Sequence, residues 1–119
     1  MAVKHIAFTM YPVKNMARAC KFYEKGLGLK RTKNYDDKWI EYHLGNGAFA
    51  ITTMAMGVRP SSNSGGSIAF EVKDVDAAVK KAVAAKGKVK LRAFDTPVCR
   101  MAVVADTEGN AVTLHAKKR

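Results

Sequence analysis

The pattern of apolar and polar positions along the chain predicts short strands and two helices. Residues 3–9 alternate and are rich in β-forming side chains. Residues 15–25 instead carry apolar side chains at helical spacing, and Asn15 is a good N-cap for them. Gly26 and Gly28 follow and end that segment. The chain therefore opens with a strand and then a helix.

A hairpin and a loop follow the first predicted helix. Residues 38–44 and 48–54 flank a Gly-Asn-Gly turn at 45–47, and this arrangement is typical of a β-hairpin. Residues 57–66 hold one Pro, one Asn, three Ser and three Gly, which is a loop composition. We expect this loop to connect two halves of one domain.

The second half of the chain predicts the same kind of elements. Its helix begins after Asp74, a good N-cap, and ends before Gly87. The predicted elements are a strand at 67–72, the helix at 74–86, and strands at 88–94, 98–105 and 111–116.

Short matches between the halves indicate an internal duplication. The matches are HIAF at 5–8 with SIAF at 67–70 (offset 62), VKNM at 13–16 with VKDV at 72–75 (offset 59), and NGAFAI at 46–51 with GNAVTL at 109–114 (offset 63). Three matches in order at nearly one offset predict two related units. The change of offset places three extra residues in the first strand-to-helix loop, around Tyr11 and Pro12. We predict an α+β fold of two βαβββ modules in a single domain spanning 1–119: module 1 at about 1–57, a linker at about 57–66, and module 2 at about 67–119.

Strand parity divides the predicted strand residues between two faces, because neighbouring side chains point to opposite sides of a sheet. The mostly large and apolar face, suited to packing under helices, comprises Ile6, Phe8, Ile40, Tyr42, Leu44, Ile51, Ile68, Phe70, Val72, Val112 and Leu114. The polar face comprises His5, Thr9, Trp39, Glu41, His43, Thr52, Ser67, Glu71, Thr113 and His115. The second face has two interpretations at this point: an ordinary solvated surface, or a cleft shared by both modules.

Composition and charge narrow the classes of function. The 21 Lys and Arg against 10 Asp and Glu give a net charge of +11 and a pI near 9.9, which favours anionic partners. The excess is +6 over residues 1–60 and +5 over 61–119, without a basic block, and this argues against nucleic acid as the partner. Cys20 and Cys99 form no CxxC pair, and no apolar run is long enough to span a bilayer. We expect a cytoplasmic protein that binds no membrane.

Several motifs resemble those of one known family. FYEKGLGL at 22–29 is similar to its FYxxxLGL motif, and DTEGN at 106–110 is similar to its DPxGN motif ahead of the last strand. The HIAF strand at 5–8, WIEY at 39–42 and TPVCR at 96–100 fit the same pattern. Together they resemble the vicinal oxygen chelate superfamily, which includes glyoxalase I, bleomycin-resistance proteins and extradiol dioxygenases. The resemblance implies paired βαβββ modules whose sheets curl around a cleft.

The resemblance also implies where a divalent metal would lie. The family's metalloenzymes hold it with four side chains from the first and last strands of each module, and those positions match His5, Ala50, Ser67 and Thr113. Only His5 is a competent ligand, and catalytic metal sites need about three protein ligands. We therefore expect no metal and no cofactor.

The alternative is one divalent metal ion held by His5 and relocated groups from the polar face. The protein would then be a glyoxalase I-like lyase, an isomerase or a dioxygenase. The relocated candidates are Glu41, His43, Glu71 and His115.

The sequence thus predicts a glyoxalase/bleomycin-resistance-like protein that binds a small, anionic molecule in a cleft without metal. We assign no catalytic residue. Arg100, opposite in parity to Met101, is placed in the cleft as a partner for the anion. The predicted ligand-binding residues are His5, Trp39, Glu41, His43, Ser67, Arg100, Thr113 and His115. We also expect a homodimer, because small two-module relatives commonly pair.

Overall fold

The protein forms two four-stranded sheets and two helices in a computed structural model that describes residues 3–54 and 57–118. The first half contains β1 (Thr9–Pro12), α1 (Met16–Lys21), β2 (Lys33–Tyr35), β3 (Trp39–Leu44) and β4 (Gly47–Thr52). The second half contains β5 (Ile68–Glu71), α2 (Val75–Ala84), β6 (Lys88–Asp95), β7 (Cys99–Ala105) and β8 (Ala111–Lys117).

The two sheets have the same strand order. The first sheet runs β1-β4-β3-β2 and the second β5-β8-β7-β6, and in each the first pair is parallel and the others are antiparallel. The sequence-based prediction of an α+β fold with two βαβββ modules is confirmed. The module boundaries near 57 and 67 stay a prediction.

Both helices begin as the sequence predicts. The side chain of Asn15 accepts a hydrogen bond from the Arg18 N–H, and Asp74 accepts one from the Ala77 N–H. The helix α1 continues as a π-helical turn over Phe22–Gly26, a segment whose first two residues are buried. No helix within the described residues is long and apolar enough to cross a bilayer.

The core lies between the sheets and the helical segments that pack on them. Phe22, Tyr23, Tyr42, Phe49 and Leu114 are each almost fully buried in it, so both modules contribute to one core. The helical segments meet at residues related by the offset of 59: a Cβ on Gly26 would lie 2.7 Å from the Cβ of Ala85. Only a glycine allows this close approach.

The first strand differs from its prediction. β1 covers Thr9–Pro12 rather than 3–9, and Tyr11 faces the core, with its ring centroid 5.3 Å from that of Phe49. The Tyr11 hydroxyl donates to the Ala111 carbonyl (2.6 Å) and accepts from the Ile68 N–H (2.6 Å), which joins the two modules. The prediction placed the strand too early because β1 has only four residues, all of them half-buried, and its core-facing side chain is a tyrosine.

The side chains of residues 6–9 therefore point to the opposite faces from those predicted. Ile6 and Phe8, predicted to lie under the helices, are 82% and 47% exposed, and Phe8 packs edge-on against Trp39 with ring centroids 5.4 Å apart. Thr9, predicted for the polar face, pairs with buried Phe49. Residue partners on neighbouring strands share a face, so Thr9 belongs to the helix side.

Strand register also corrects the alignment of the two modules. Thr9 pairs with Phe49, as Ile68 pairs with Val112, so the offset at the first strand is 59 rather than 62. The module-1 counterpart of Ser67 is therefore Phe8, and the sequence-based equivalence of His5 and Ser67 is wrong. The additional residues of module 1 precede β1, and the loop before α1 has the same length in both modules.

Candidate functional site

The face of the first sheet that points away from the helices, its open face, carries an aromatic and polar group on β3. Residues two apart on a strand share a face, which brings Trp39, Glu41 and His43 together. The Trp39 Nε1–H donates to Glu41 Oε2 (2.9 Å), and His43 Nε2 lies 3.1 Å from Glu41 Oε1. Phe8 packs on the Trp39 ring. The result is an aromatic surface beside an anchored carboxylate.

Glu41 is held in its charged form. The hydrogen bond from Trp39 and then that from His43 lower its pKa, and the charge of nearby Lys33, its partner on β2, contributes further. Both oxygens of Glu41 are engaged by neighbours on its own strand. Its role is therefore to fix the indole and imidazole rings, and it is poorly placed to act as a free base.

The open face of the second sheet carries a separate polar group at the parallel β5–β8 pair. The hydroxyls of Ser67 and Thr113 are 2.8 Å apart. His115 Nδ1 lies 2.5 Å from one oxygen of Glu71, and the Lys117 N–H donates to the other at 2.8 Å. The Lys117 bond and then the His115 bond lower the pKa of Glu71. Among the described residues, no hydrogen bond links this group to the Trp39 group.

Apolar side chains on the same open face were missed by the sequence analysis. Leu91 pairs with Val103 and Phe94 pairs with Met101, and both β6 residues are exposed. The signal was present in the strand β6, where Val89 and Leu91 alternate with basic side chains. It was weak because register shifts after Val89 and Leu91 interrupt the period of two.

Arg100 lies on the opposite side of the second sheet, against the helix α2. Its guanidinium donates to Asp76 on α2 (3.0 Å) and to Asp95 on β6 (2.9 Å). The expectation that Arg100 shares the cleft face is wrong, because strand parity places Arg100 opposite Met101 and Met101 pairs with His115 on the open face. The ion pairs with Asp76 and Asp95 raise the pKa of Arg100.

His5 lies in the exposed segment before β1 and lines a cavity of about 880 Å³ at the junction of the modules. The wall combines Gly26, Leu27 and the β3–β4 turn of module 1 with β5 and the helix α2 of module 2. None of Trp39, Glu41, His43, Ser67, Thr113 and His115 lines it. The predicted site residues are thus divided among two open faces, the module junction and the helix side.

The residues at the four family metal positions do not fit a divalent ion. With the register of the strands, these positions hold Phe8, Ala50, Ser67 and Thr113, and none supplies an imidazole, thiolate or carboxylate. Within residues 3–54 and 57–118, no three His, Cys, Asp or Glu side chains cluster as a metal site would require. The relocated candidates form two separate pairs, Glu41–His43 and Glu71–His115, and in each pair the imidazole contacts the carboxylate.

The chain has two βαβββ modules that share one core, and the family metal positions lie on the open faces of their sheets. These two features define the class of protein to which the chain is compared. The family model described as the Glyoxalase/Bleomycin resistance protein/Dioxygenase superfamily matches residues 3–114. The chain belongs to this superfamily, which confirms the resemblance found in the sequence.

Solved structures share the fold at low sequence identity. A glyoxalase/bleomycin resistance protein from Albidiferax ferrireducens T118 is 21% identical with a TM-score of 0.80, over 95% of this chain and 98% of that one. TnmS3, an antibiotic binding protein from Streptomyces sp. CB03234, is 20% identical with a TM-score of 0.75, over 99% of each chain. Lactoylglutathione lyase from Agrobacterium tumefaciens is 17% identical with a TM-score of 0.71, over 98% and 96%. No curated protein sequence matches the chain.

Proposed function

We propose that the protein binds a small anionic organic molecule on the open sheet faces without a metal ion. The observation that carries this proposal is the set of side chains at the four metal positions: an aromatic ring, a methyl group and two hydroxyls. Such side chains remove metal chemistry but leave a surface that can hold an organic ligand. The similarity in fold to TnmS3, described as an antibiotic binding protein, supports the same class of function.

The ligand-binding residues are Trp39, Glu41 and His43 on one face and Ser67, Thr113 and His115 on the other. The Phe8 and Trp39 rings, which meet edge to face at an interplanar angle of 87°, offer an apolar aromatic surface against which an aromatic ligand can pack. The imidazoles and hydroxyls supply hydrogen bonds that orient it. The net charge of +11 favours an anion over a cation.

A second copy of the chain is the partner that completes the site. The chain exposes 7943 Å², whereas a compact monomer of 13.0 kDa exposes about 6,300 Å². The surplus of about 1,600 Å² exceeds the roughly 800 Å² that each partner buries in a standard interface. Exposed Leu91 and Phe94 on one open face and Phe8 and Tyr35 on the other supply apolar contacts. We therefore propose a homodimer that covers these faces.

Calorimetric titration tests the function directly. Protein treated with a chelator is titrated with Zn²⁺, Ni²⁺ and Mn²⁺, and separately with 1-anilinonaphthalene-8-sulfonate, an anionic aromatic probe. We expect weak, substoichiometric metal binding and saturable probe binding that quenches Trp39, the single tryptophan of the chain. Added metal should leave probe affinity unchanged.

Matched variants assign the binding to the open face. Trp39→Ala should weaken probe binding several-fold, whereas Lys80→Ala on the helix α2 should leave it unchanged. Tight metal binding at one ion per chain, lost in His5→Ala and accompanied by turnover of a hemithioacetal or a catechol, would establish the metalloenzyme alternative instead.

A further inference from the structure

The cavity at the module junction is separate from the open faces of the two sheets. Its volume of about 880 Å³ lies within the usual range for small-molecule sites, roughly 300–1,000 Å³. Its inner wall is formed by side chains that reach the core, among them Phe49, Phe70 and Leu114. Leu27 and Leu29 close the side next to the π-helical turn. An apolar hollow of this size is too large to be a packing defect of an ordinary core.

The polar side chains that line the cavity are His5, Thr9, Asn46 and Glu71, together with one lysine, Lys81. Lys81 on the helix α2 lines it and has no carboxylate within 4.0 Å among the described residues. Glu71 also lines it, but its carboxylate lies on the open face of the second sheet, where its two oxygens accept hydrogen bonds from His115 and from the Lys117 N–H. In the part of the chain that the structure describes, the one charged side-chain group that an entering ligand meets from a lysine or arginine is therefore the Lys81 ammonium.

We propose that this cavity binds an apolar monocarboxylate, with its carboxylate at Lys81 and its hydrocarbon body against Phe49, Phe70 and Leu114. A single ammonium suits one negative charge, whereas phosphate groups are usually held by arginines or by several donors. The apolar body is required because most of the wall offers no hydrogen bond. The proposal concerns a different site from the open faces and does not rest on the function proposed for them.

Three ligands with the same hydrocarbon chain test the charge preference by calorimetry: decanoate, decan-1-ol and decylammonium. Decanoate should bind at one molecule per chain and more tightly than the other two. Lys81→Gln should weaken decanoate binding about threefold, as expected for a partly exposed ion pair, and leave decanol binding unchanged. Lys80→Gln, the neighbouring helix position outside the cavity, is the matched control and should change neither affinity. Tighter binding of decylammonium would overturn the proposal.

Two cavity-filling variants test the location from opposite walls. Ala78→Phe enters from the helix α2, and Gly47→Phe enters from the β3–β4 turn, where a Cβ would meet only the Leu44 carbonyl oxygen at 3.8 Å. A variant is informative when its unfolding temperature equals that of the wild type. Such a variant should bind decanoate at least about tenfold more weakly, because the new phenyl ring occupies the apolar space of the ligand. Trp39→Ala should leave decanoate binding unchanged. Decanoate binding that survives both fillings, or fails in the wild-type protein, would refute the site.

Discussion

The two sides of the sheets are built from different chemistry. On the helix side, apolar side chains from both modules form one core, and its largest members, such as Phe22, Tyr23 and Tyr42, are fully buried. On the open side, Leu91 and Phe94 are exposed beside polar groups that bond mainly to one another. The helix side determines which fold the chain adopts, whereas the open side is free to vary in function and assembly. Substitutions on the two sides should therefore have different kinds of effect.

On the helix side, the turn between β7 and β8 of module 2 is joined by hydrogen bonds to the helical segment of module 1. Glu108, whose side chain is fully buried, accepts from the Lys14 and Asn15 N–H groups and forms an ion pair with Arg18 at 2.6 Å. Asp106 accepts from the Tyr23 hydroxyl at 2.5 Å. A turn of module 2 thus satisfies the N-terminus of the module-1 helix α1, and the two modules should unfold together.

The largest loss of stability is expected at Gly87, where the helix α2 ends against module 1. A Cβ there would lie 2.6 Å from the Phe22 ring and 2.9 Å from each of two backbone oxygens, so Gly87→Ala must displace backbone. We expect it to lower the free energy of unfolding by about 3 kcal/mol, measured by urea denaturation. Gly66→Ala is the control, because a Cβ at that position meets nothing within 4 Å. Equal stability of the two variants would contradict the close packing.

A smaller loss is expected when the buried carboxylate is neutralised. Glu108→Gln removes the ion pair with Arg18 and should lower the free energy of unfolding by about 2 kcal/mol. The matched control is Glu24→Gln, since Glu24 also pairs with an arginine, Arg31, but both side chains are about one-third exposed. That variant should lose at most about 1 kcal/mol. A larger effect at Glu24 than at Glu108 would show that burial does not set the strength of these pairs.

The contribution of Glu108 should also depend on pH. Burial raises the pKa of this carboxyl, but hydrogen bonds from Arg18, Asn15, Lys14 and Thr107 outweigh that effect and lower the pKa from 4.5 to about 2. Because the folded-state pKa lies below the unfolded one, the stabilisation is complete above about pH 4.5 and is lost as the pH falls toward 2. The difference between wild type and Glu108→Gln should therefore shrink between pH 6 and pH 2.5. A difference that stays constant over this range would contradict the lowered pKa.

Most of the fold could be predicted from the sequence because its signals are local. The caps Asn15 and Asp74, the turn at 45–47 and the alternation in β3 and β4 each act over a few residues. The strand β1 was misplaced because its position depends on pairing with β4, forty residues away. The strand β2 was not located, since its three residues are all exposed and carry no periodic pattern.

The candidate site was harder to predict, because a site depends on which faces the fold brings together. Parity along β3 correctly groups Trp39 with Glu41 and His43. Parity on β7 puts Arg100 opposite Met101, but only the position of the helix α2 shows which of the two faces is open. The cavity at the module junction combines segments from both modules, and no spacing in the sequence indicates that they converge.

The smallest effect on the stability of the single chain, with the largest on assembly, is expected at Leu91. This side chain is 48% exposed on the open face, and Val83, on the helix α2, is 46% exposed. Leu91→Asp and Val83→Asp remove similar apolar surface and add the same charge, so each should change the free energy of unfolding of the monomer by no more than about 1 kcal/mol.

If a second copy covers the open face, light scattering should show a dimer for wild type and Val83→Asp and a monomer for Leu91→Asp. The urea midpoint should rise with protein concentration for the first two proteins only, because mass action stabilises an assembled state. A monomeric wild-type protein would contradict the proposed homodimer. A dimer that withstands Leu91→Asp but not Val83→Asp would place the interface on the helix side and reverse the contrast between the two sides of the sheets.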